Sequence, residues 1–442
     1  MKKLLITTSS FFNRAGNQSM LESVKEYSKY YNVAIITTAP ESNSFYLTTS
    51  EAKAILPKNI NIYRSRNWFK SFFKTVLSLC QKLITKKKKK INVDTTLVNQ
   101  SYNQFTSLSQ LLTTSKLIFT ELLLIISKKE QHPDIILAYE ISGIPAGLYL
   151  ANLFRKRDKK VTLVSRLQGT TLYGAIGNEK SLNSNNYSLD HAMYQKLKYF
   201  DLNIMTNDGT NGDKVLAYYS VPPEKILHLT NGIPSSIVQY GESKARRSFL
   251  NSDKIILSSV CRLIGWKRVY LSIEVINMLV NVHHYTNIEL NIYGVGSDDE
   301  VAYLSQLIDK YGLDKFIKLH GGVTHDLIPK ILDSSDFLIS LYSFTNVTNP
   351  LLEALYLRCP IITIEDDNLN VILANELINS SLILNNASED ELIKTIVNYL
   401  ISIDIKTTKL SRQEEFGRLG NIYTWKKRIE NEKAHLDAIS DF

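Results

Sequence analysis

Cysteine is scarce in this chain: three among 442 residues, Cys80, Cys261 and Cys359. They show neither metal-ligand spacing nor an even framework, which argues against a zinc module or disulfide scaffold and fits a reducing cytoplasm. Long apolar runs are missing too. No stretch approaches the roughly 18 uncharged apolar residues that a membrane span needs. The opening "MKKLLITTSSFF" has two lysines and a short apolar run, but Thr and Ser interrupt it. It reads as a strand rather than a secretory signal. There is no internal repeat and no nucleic-acid or zinc motif. What is present is an apolar fraction of 44%, enough to bury real cores, and a net charge of +9. The length favours two domains, and the charge points to an anionic partner such as a nucleotide or membrane surface.

Short apolar runs alternate with longer amphipathic ones. "KLLITTS", "NVAIITT", "DIILAYE" and "VTLVSR" read as strands in the first half; "IILSSV", "IELNIYG", "FIKLHG", "DFLISLY" and "PIITIE" do so in the second. Between them, stretches such as "DDEVAYLSQLIDKYG" and "HDLIPKILDSS" carry helical periodicity. Strand–helix alternation implies parallel sheets covered by helices on both faces. Two such sets suggest two Rossmann-like domains. The boundary falls within "LTNGIPSSIVQYGESKARRSF", giving domains over 1–235 and 236–420 and a terminal segment over 421–442.

The alternation breaks over about 62–130, where an amphipathic stretch runs into five lysines, Lys86 to Lys90. Apolar side chains beside dense lysine suit an anionic membrane surface, because burial and charge attraction add. A solvated helix followed by a charged loop is the alternative.

In open parallel sheets, ligands bind beyond the carboxyl ends of strands, where helix N-termini point free amides outward. Four loops of the second half occupy such positions. "CRLIGWKR" places Arg262 and Lys267 in one turn, where a forked guanidinium and an ammonium could meet phosphate. In "GVGSDDE", Gly294 and Gly296 allow close backbone approach, and Ser297 and Asp298 open a helix. "GGVTHDL" carries Gly321, Gly322 and His325, the last reading as a surface or helix-start residue. In "SFTNVTNPLLEALYLRCPII", Asn349 reads as a cap, Pro350 as the first helical residue, and Leu351, Leu352 and Leu355 as the buried face. Glu353 then stands in the first turns, either accepting paired ribose hydroxyls or complementing the helix dipole.

Taken together and in this order, these loops resemble retaining glycosyltransferases of the GT-B fold, family 4 type. "SVCRLIGWKRVYLSIEVINML" resembles the family's donor-phosphate loop, "LNIYGVGSDDE" its Gly-rich loop and "NPLLEALYLRCPII" its acidic-residue helix. "FDLNIMTNDGTNGDKVL", "LTNGIP" and "RLQGTTL" resemble segments of its first domain, and "YTWKKRIENEKAHL" the helix that crosses back to it. The resemblance implies two Rossmann-like domains facing across a cleft, and an enzyme moving a sugar from a UDP- or GDP-sugar to a hydroxyl of a glycan or lipid-linked acceptor. It implies no metal or other cofactor; the lack of a nucleic-acid motif argues against a nucleic-acid partner, and the cysteine pattern and basic insertion fit a cytoplasmic place, peripheral at the inner membrane face. The implied catalytic set is Arg262, Lys267 and Glu353, with Glu353 on the ribose. Gly16, Gly294, Gly296, Ser343, Thr345, Asn346, Asn349, Pro350 and Leu351 would bind donor. Glu140, Arg166, Gln168 and Asp208 are acceptor or cleft candidates, and the acceptor would lie on the first domain.

Three departures accompany the resemblance. The family's second acid, eight positions before the helix glutamate, is here Thr345, and a variant acid two positions earlier is Ser343. Either Ser343, Thr345 or Asn346 does that acid's work, or activity is altered. Gln168 stands before Gly169 where the family has a histidine, and the N-terminal glycine loop has one glycine, Gly16. A non-catalytic GT-B subunit that binds a partner transferase or sugar nucleotide is therefore the alternative function. An epimerase on the same fold is a third.

Overall fold

The computed structural model describes residues 1–9, 11–12, 19–39, 41, 46–64, 132–184, 186–243, 254–366, 369, 380–404, 406–407, 420 and 422–440. Gly16, Cys80 and Lys86 to Lys90 lie outside them. The sequence pattern resolves into two parallel sheets. The first has seven strands: β1 (Lys3–Thr8), β2 (Asn32–Thr37), β3 (Asn61–Arg64), β4 (Ile135–Tyr139), β5 (Thr162–Leu167), β6 (Leu202–Thr206) and β7 (Ile226–Leu229). Their order is β3-β2-β1-β4-β5-β6-β7. The second has β8 (Ile255–Val260), β9 (Ile288–Tyr293), β10 (Ile317–Gly321), β11 (Phe337–Ser340), β12 (Ile361–Ile364) and β13 (Leu382–Leu384), ordered β10-β9-β8-β11-β12-β13.

Helices cover both faces of the sheet, so the central strands β4 through β6 are buried at every position. Strand β3 lies within the stretch expected to be inserted sequence. It is a short edge strand, paired only with β2, and its four residues carry little periodic signal. Strands β7 and β13, of four and three residues, were too short for the pattern as well.

In each sheet the strand order reverses once, between β1 and β4 and between β8 and β11. Chain leaving the two strands at such a point diverges to opposite faces and opens a crevice. The loops after β8 and β11 therefore flank one crevice, and this positions the site.

The C-terminal helix Trp425–Ser440 follows a stretch that touches the second domain, where Gly420 N donates to Tyr356 O. The helix itself joins the first domain's core: Trp425, Ile429 and Leu436 pack with residues of β1, β2 and β4. Each such burial is worth about 1.5–3 kcal/mol. Around it lies a buried polar cluster. Glu432 accepts from Arg166 Nε and Nη2 at 3.3 Å and from Arg428 Nε at 2.8 Å, with the Tyr27 hydroxyl donating as well. The burial of Glu432 would favour its neutral form, but the two guanidiniums hold it below the usual carboxylate range. Arg428 continues to the carbonyl of Leu229 and to Asn231 Oδ1, at 3.1 and 3.2 Å. The expected crossover is present, and this cluster fastens it.

Candidate functional site

A cavity of about 770 Å³ lies between the domains at the crevice of the second sheet. Its walls include Arg262, Lys267, Gly294, Asn349, Pro350 and Glu353 from the second domain. Thr345 completes that wall, and Gln168, Asp208 and Asn231 stand opposite.

The loop after β8 turns through a short 3-10 segment, Gly265–Lys267. Arg268 fixes it against the neighbouring loop, its guanidinium donating to Leu341 O at 2.8 Å and Tyr342 O at 3.3 Å. The turn leaves Lys267 only 7% exposed. Its ammonium sits 3.9 Å from the ring centre of Trp266 and 3.6 Å from that of Tyr342. Burial lowers Lys267 to about 7 against the pull of Cys261 and, more weakly, Asp208, with repulsion from Arg262 adding to the fall. Among the described residues no carboxylate pairs with it. The aromatic cage holds the ammonium in place, and an arriving diphosphate would supply the missing counter-charge.

Glycine in the next loop serves packing first. A Cβ on Gly294 would collide with the carbonyl of Cys261, and one on Gly296 would lie 2.6 Å from Leu263 O. Only with glycine at both places can the two loops run side by side, bridged at Leu263 and Gly296. Gly294 and Val295 line the cavity as a result, whereas Gly296 stands behind them.

The helix that follows β11 begins at Asn349 rather than Pro350, and its cap position is Thr348, without a capping side-chain bond. Asn349 is thus helical, and its Oδ1 accepts from Asn231 Nδ2 at 2.9 Å, a link reaching Arg428 of the C-terminal helix. The competing partner drew Asn349 out of the capping role. Leu351 faces the core and is fully buried. Glu353 is 2% exposed yet borders the cavity, and His325 Nε2 lies 3.0 Å from its Oε1. Burial opposes charge on His325, but the Glu353 carboxylate more than offsets this and raises its pKa. His325 does start a short 3-10 turn, His325–Leu327, as one sequence reading had it, and the pairing with Glu353 comes in addition. The distance from Glu353 in sequence, with no shared motif, hid this pair.

The polar half of the loop after β11 is spent on structure. Ser343 Oγ donates to Trp266 O at 3.2 Å. Asn346 uses both ends of its amide within the loop, receiving from Tyr342 N at 3.1 Å and giving to Tyr342 O at 3.3 Å. The Thr345 hydroxyl donates across the cavity to the backbone carbonyl of Asp208. Of the three, only Thr345 reaches the wall, and it acts there as an interdomain fastening.

On the first domain, Arg166 does not face the cavity. Successive residues of a strand point to opposite faces, and Arg166 points to the C-terminal helix, fully buried on Glu432. Gln168, beyond the strand end, lines the cavity; its Nε2 donates to Tyr139 OH at 3.0 Å and its buried Oε1 has no partner. Glu140 stands one layer behind, at a left-handed φ of 60°. Burial pushes its carboxyl up to about 7, although Arg166 and the backbone N–H of Gln168 act against this. Asp208 Oδ1 accepts from Thr210 N at 3.2 Å and Thr210 Oγ1 at 2.6 Å. Burial raises Asp208 to about 6 despite those bonds, helped by the charge of Asp366. Gly169, at φ 138°, makes room for it: a Cβ there would strike the Asp208 carboxylate.

Among the described residues no group of three or more His, Cys, Asp or Glu is arranged to hold a metal ion. No helix among them is long and apolar enough to cross a membrane.

Comparison with known proteins places this geometry. Residues 242–415 match the family described as Glycosyl transferases group 1. No curated protein matches the sequence. Among solved structures, Anabaena HepE in complex with UDP and glucose is 14% identical, covering 98% of this chain and 100% of its own, with a TM-score of 0.59. A TarM mutant of S. aureus, in complex with fondaparinux, alpha-GlcNAc-glycerol and UDP, is 13% identical over 98% of this chain and 99% of its own, with a TM-score of 0.61. Sucrose-phosphate synthase of Thermosynechococcus elongatus is 12% identical over 99% and 98%, with a TM-score of 0.61. The chain is an α/β protein of the GT-B fold, and the glycosyl transferases group 1 match falls on its second domain.

Proposed function

We propose that the protein is a retaining glycosyltransferase that moves a sugar from a nucleoside-diphosphate donor to a hydroxyl of a glycan or lipid-linked acceptor. The carrying observation is a cavity in which two cations, glycine-loop backbone and the start of the Glu353 helix share one wall. The family match over the same wall supports it. So do structural neighbours whose ligands include UDP and UDP-glucose.

In this reading the diphosphate lies against Arg262, Lys267 and the Gly294 backbone, and the ribose hydroxyls meet Glu353, oriented by His325. As the bond from the anomeric carbon to the phosphate oxygen breaks, its electrons remain on the diphosphate, where the cations stabilise them. The acceptor oxygen attacks the same face of the sugar, and its proton passes to the departing phosphate. Fixed positive charge does the work asked of a metal ion elsewhere, so chelator is expected to leave the rate unchanged. The basic stretch of Lys86 to Lys90 supports peripheral binding to an anionic membrane, tested by cosedimentation with phosphatidylserine vesicles.

The deciding experiment measures nucleoside-diphosphate release from a panel of UDP- and GDP-sugars with glycan and lipid-linked acceptors. Turnover of one donor is the expected result, and release from none in the presence of its acceptor overturns it. A binding subunit without turnover is the second reading, favoured by the internal engagement of Ser343, Thr345 and Asn346. It is marked by nucleotide binding with no release.

A further inference from the structure

We infer that Asp208, supplied from the first domain, is the carboxylate that grips the hydroxyls of the transferred sugar. This rests on the glycosyl-transfer reading and names the part of the cavity that would read the sugar.

After β11 the side chains of Ser343, Asn346 and Thr345 are bonded within the loop or across the domains, and Thr348, whose buried Oγ1 has no partner at the wall, offers a neutral hydroxyl rather than a carboxylate. Asp208 and Glu353 are the carboxylates on the cavity wall among the described residues. Glu353 is held by His325 on the helix side. Asp208 lies on the opposite domain, close enough to Lys267 for each charge to influence the other.

A carboxylate and an unpartnered amide oxygen side by side cannot hold phosphate, since both accept and one is negative. They can hold a group rich in donors. Asp208 and the buried Gln168 Oε1 form such a pair at the wall. A hexose offers several hydroxyls, and the sugar is the part of the donor that lies beyond the diphosphate. The carboxylate is also stiffly held, by Thr210 on one oxygen and by the space Gly169 leaves beside the other. The Thr345 hydroxyl fixes the backbone of the same residue, so the second domain sets the position of a group that belongs to the first. The grip would then form only when the domains are together, which ties sugar recognition to closure.

The test uses the full-length protein and titration calorimetry. A panel of UDP- and GDP-hexoses first identifies the tightest sugar nucleotide, which is then compared with its own free diphosphate. Asp208→Asn keeps the acceptor for Thr210 but removes the charge. It is expected to weaken the sugar nucleotide by roughly 10- to 100-fold, the range of a lost charged hydrogen bond. The free diphosphate should bind within about twofold of wild type. Gly169→Ala keeps the carboxylate but displaces it, and should show the same selective loss; melting curves identify a variant that has unfolded. Equal losses for both ligands, or no loss for the sugar nucleotide in either folded variant, overturn the inference. Wild type that binds neither UDP nor GDP overturns the transferase reading instead, and is a separate outcome.

Discussion

The two walls of the cavity are built on opposite plans. The second-domain wall presents the cations Arg262 and Lys267 and a helix N-terminus, which suit an anion, with the Glu353 carboxylate beside them. The first-domain wall presents acceptors, with Asp208 and Gln168 at the surface and Glu140 behind. In the proposed reading one wall takes the charge and, at Glu353, the ribose, and the other takes the hydroxyls of the sugar. A ligand with a phosphate middle and a polyol end satisfies both, and nothing simpler does. The C-terminal helix keeps the walls in register, because Glu432, Arg428 and Asn231 run from the first domain's core to Asn349 at the cavity.

The largest effect is expected from breaking that frame. Glu432→Ala leaves Arg166 and Arg428 buried without their shared partner, and should cost about 3–5 kcal/mol of stability by denaturant titration. Retention of wild-type stability would show that the cluster does not hold the helix. Next in size, Lys267→Ala or Arg262→Ala should lower turnover by about 100- to 1,000-fold, the usual loss for a group that stabilises developing charge. Unchanged activity in both would move the anion site elsewhere.

A smaller effect comes with pH. Lys267 titrates at about 7 in the empty cavity, and a bound diphosphate raises that value. Below pH 7 the ammonium is already charged and affinity for UDP or GDP is flat. Above it, binding must take up a proton, so the dissociation constant rises by at most about tenfold per pH unit. Lys267→Arg should remove this dependence, since arginine stays charged. Glu353→Gln should cost about tenfold in nucleotide affinity and reduce discrimination against 2′- and 3′-deoxy nucleotides. The smallest effect is expected of Thr345→Val, which deletes one interdomain hydrogen bond worth about 1 kcal/mol. A thermal shift larger than that of Glu432→Ala would reverse the order argued here.

The anion wall was more legible than the hydroxyl wall, and the reason lies in how each is encoded. Arg262, Lys267 and Gly294 sit in short loops after strongly apolar strands, and Glu353 in the first turns of the helix that follows another, so strand recognition places them at the crevice. His325 was not legible, because its meaning comes from Glu353, 28 residues away and on another element. Arg166 misled for the opposite reason. It is one residue inside a strand end, and strand alternation turned it toward the C-terminal helix rather than the cavity. Asn349 looked like a cap until Asn231 was found as its partner.

Family resemblance supplied the helix that crosses back; by itself, the sequence determined the parallel sheets and the loops that meet at the crevice. Those follow from local periodicity and from the right-handed crossover that parallel strands require. Tertiary structure alone decided which polar side chains remain available in the cavity. Ser343, Thr345 and Asn346 look free in the chain and are spent in the fold, whereas Asp208 gains its place from glycine room and a bond across the domains. Hydrogen-bond demand is settled by neighbours in space, and for these residues the neighbours come from distant parts of the chain.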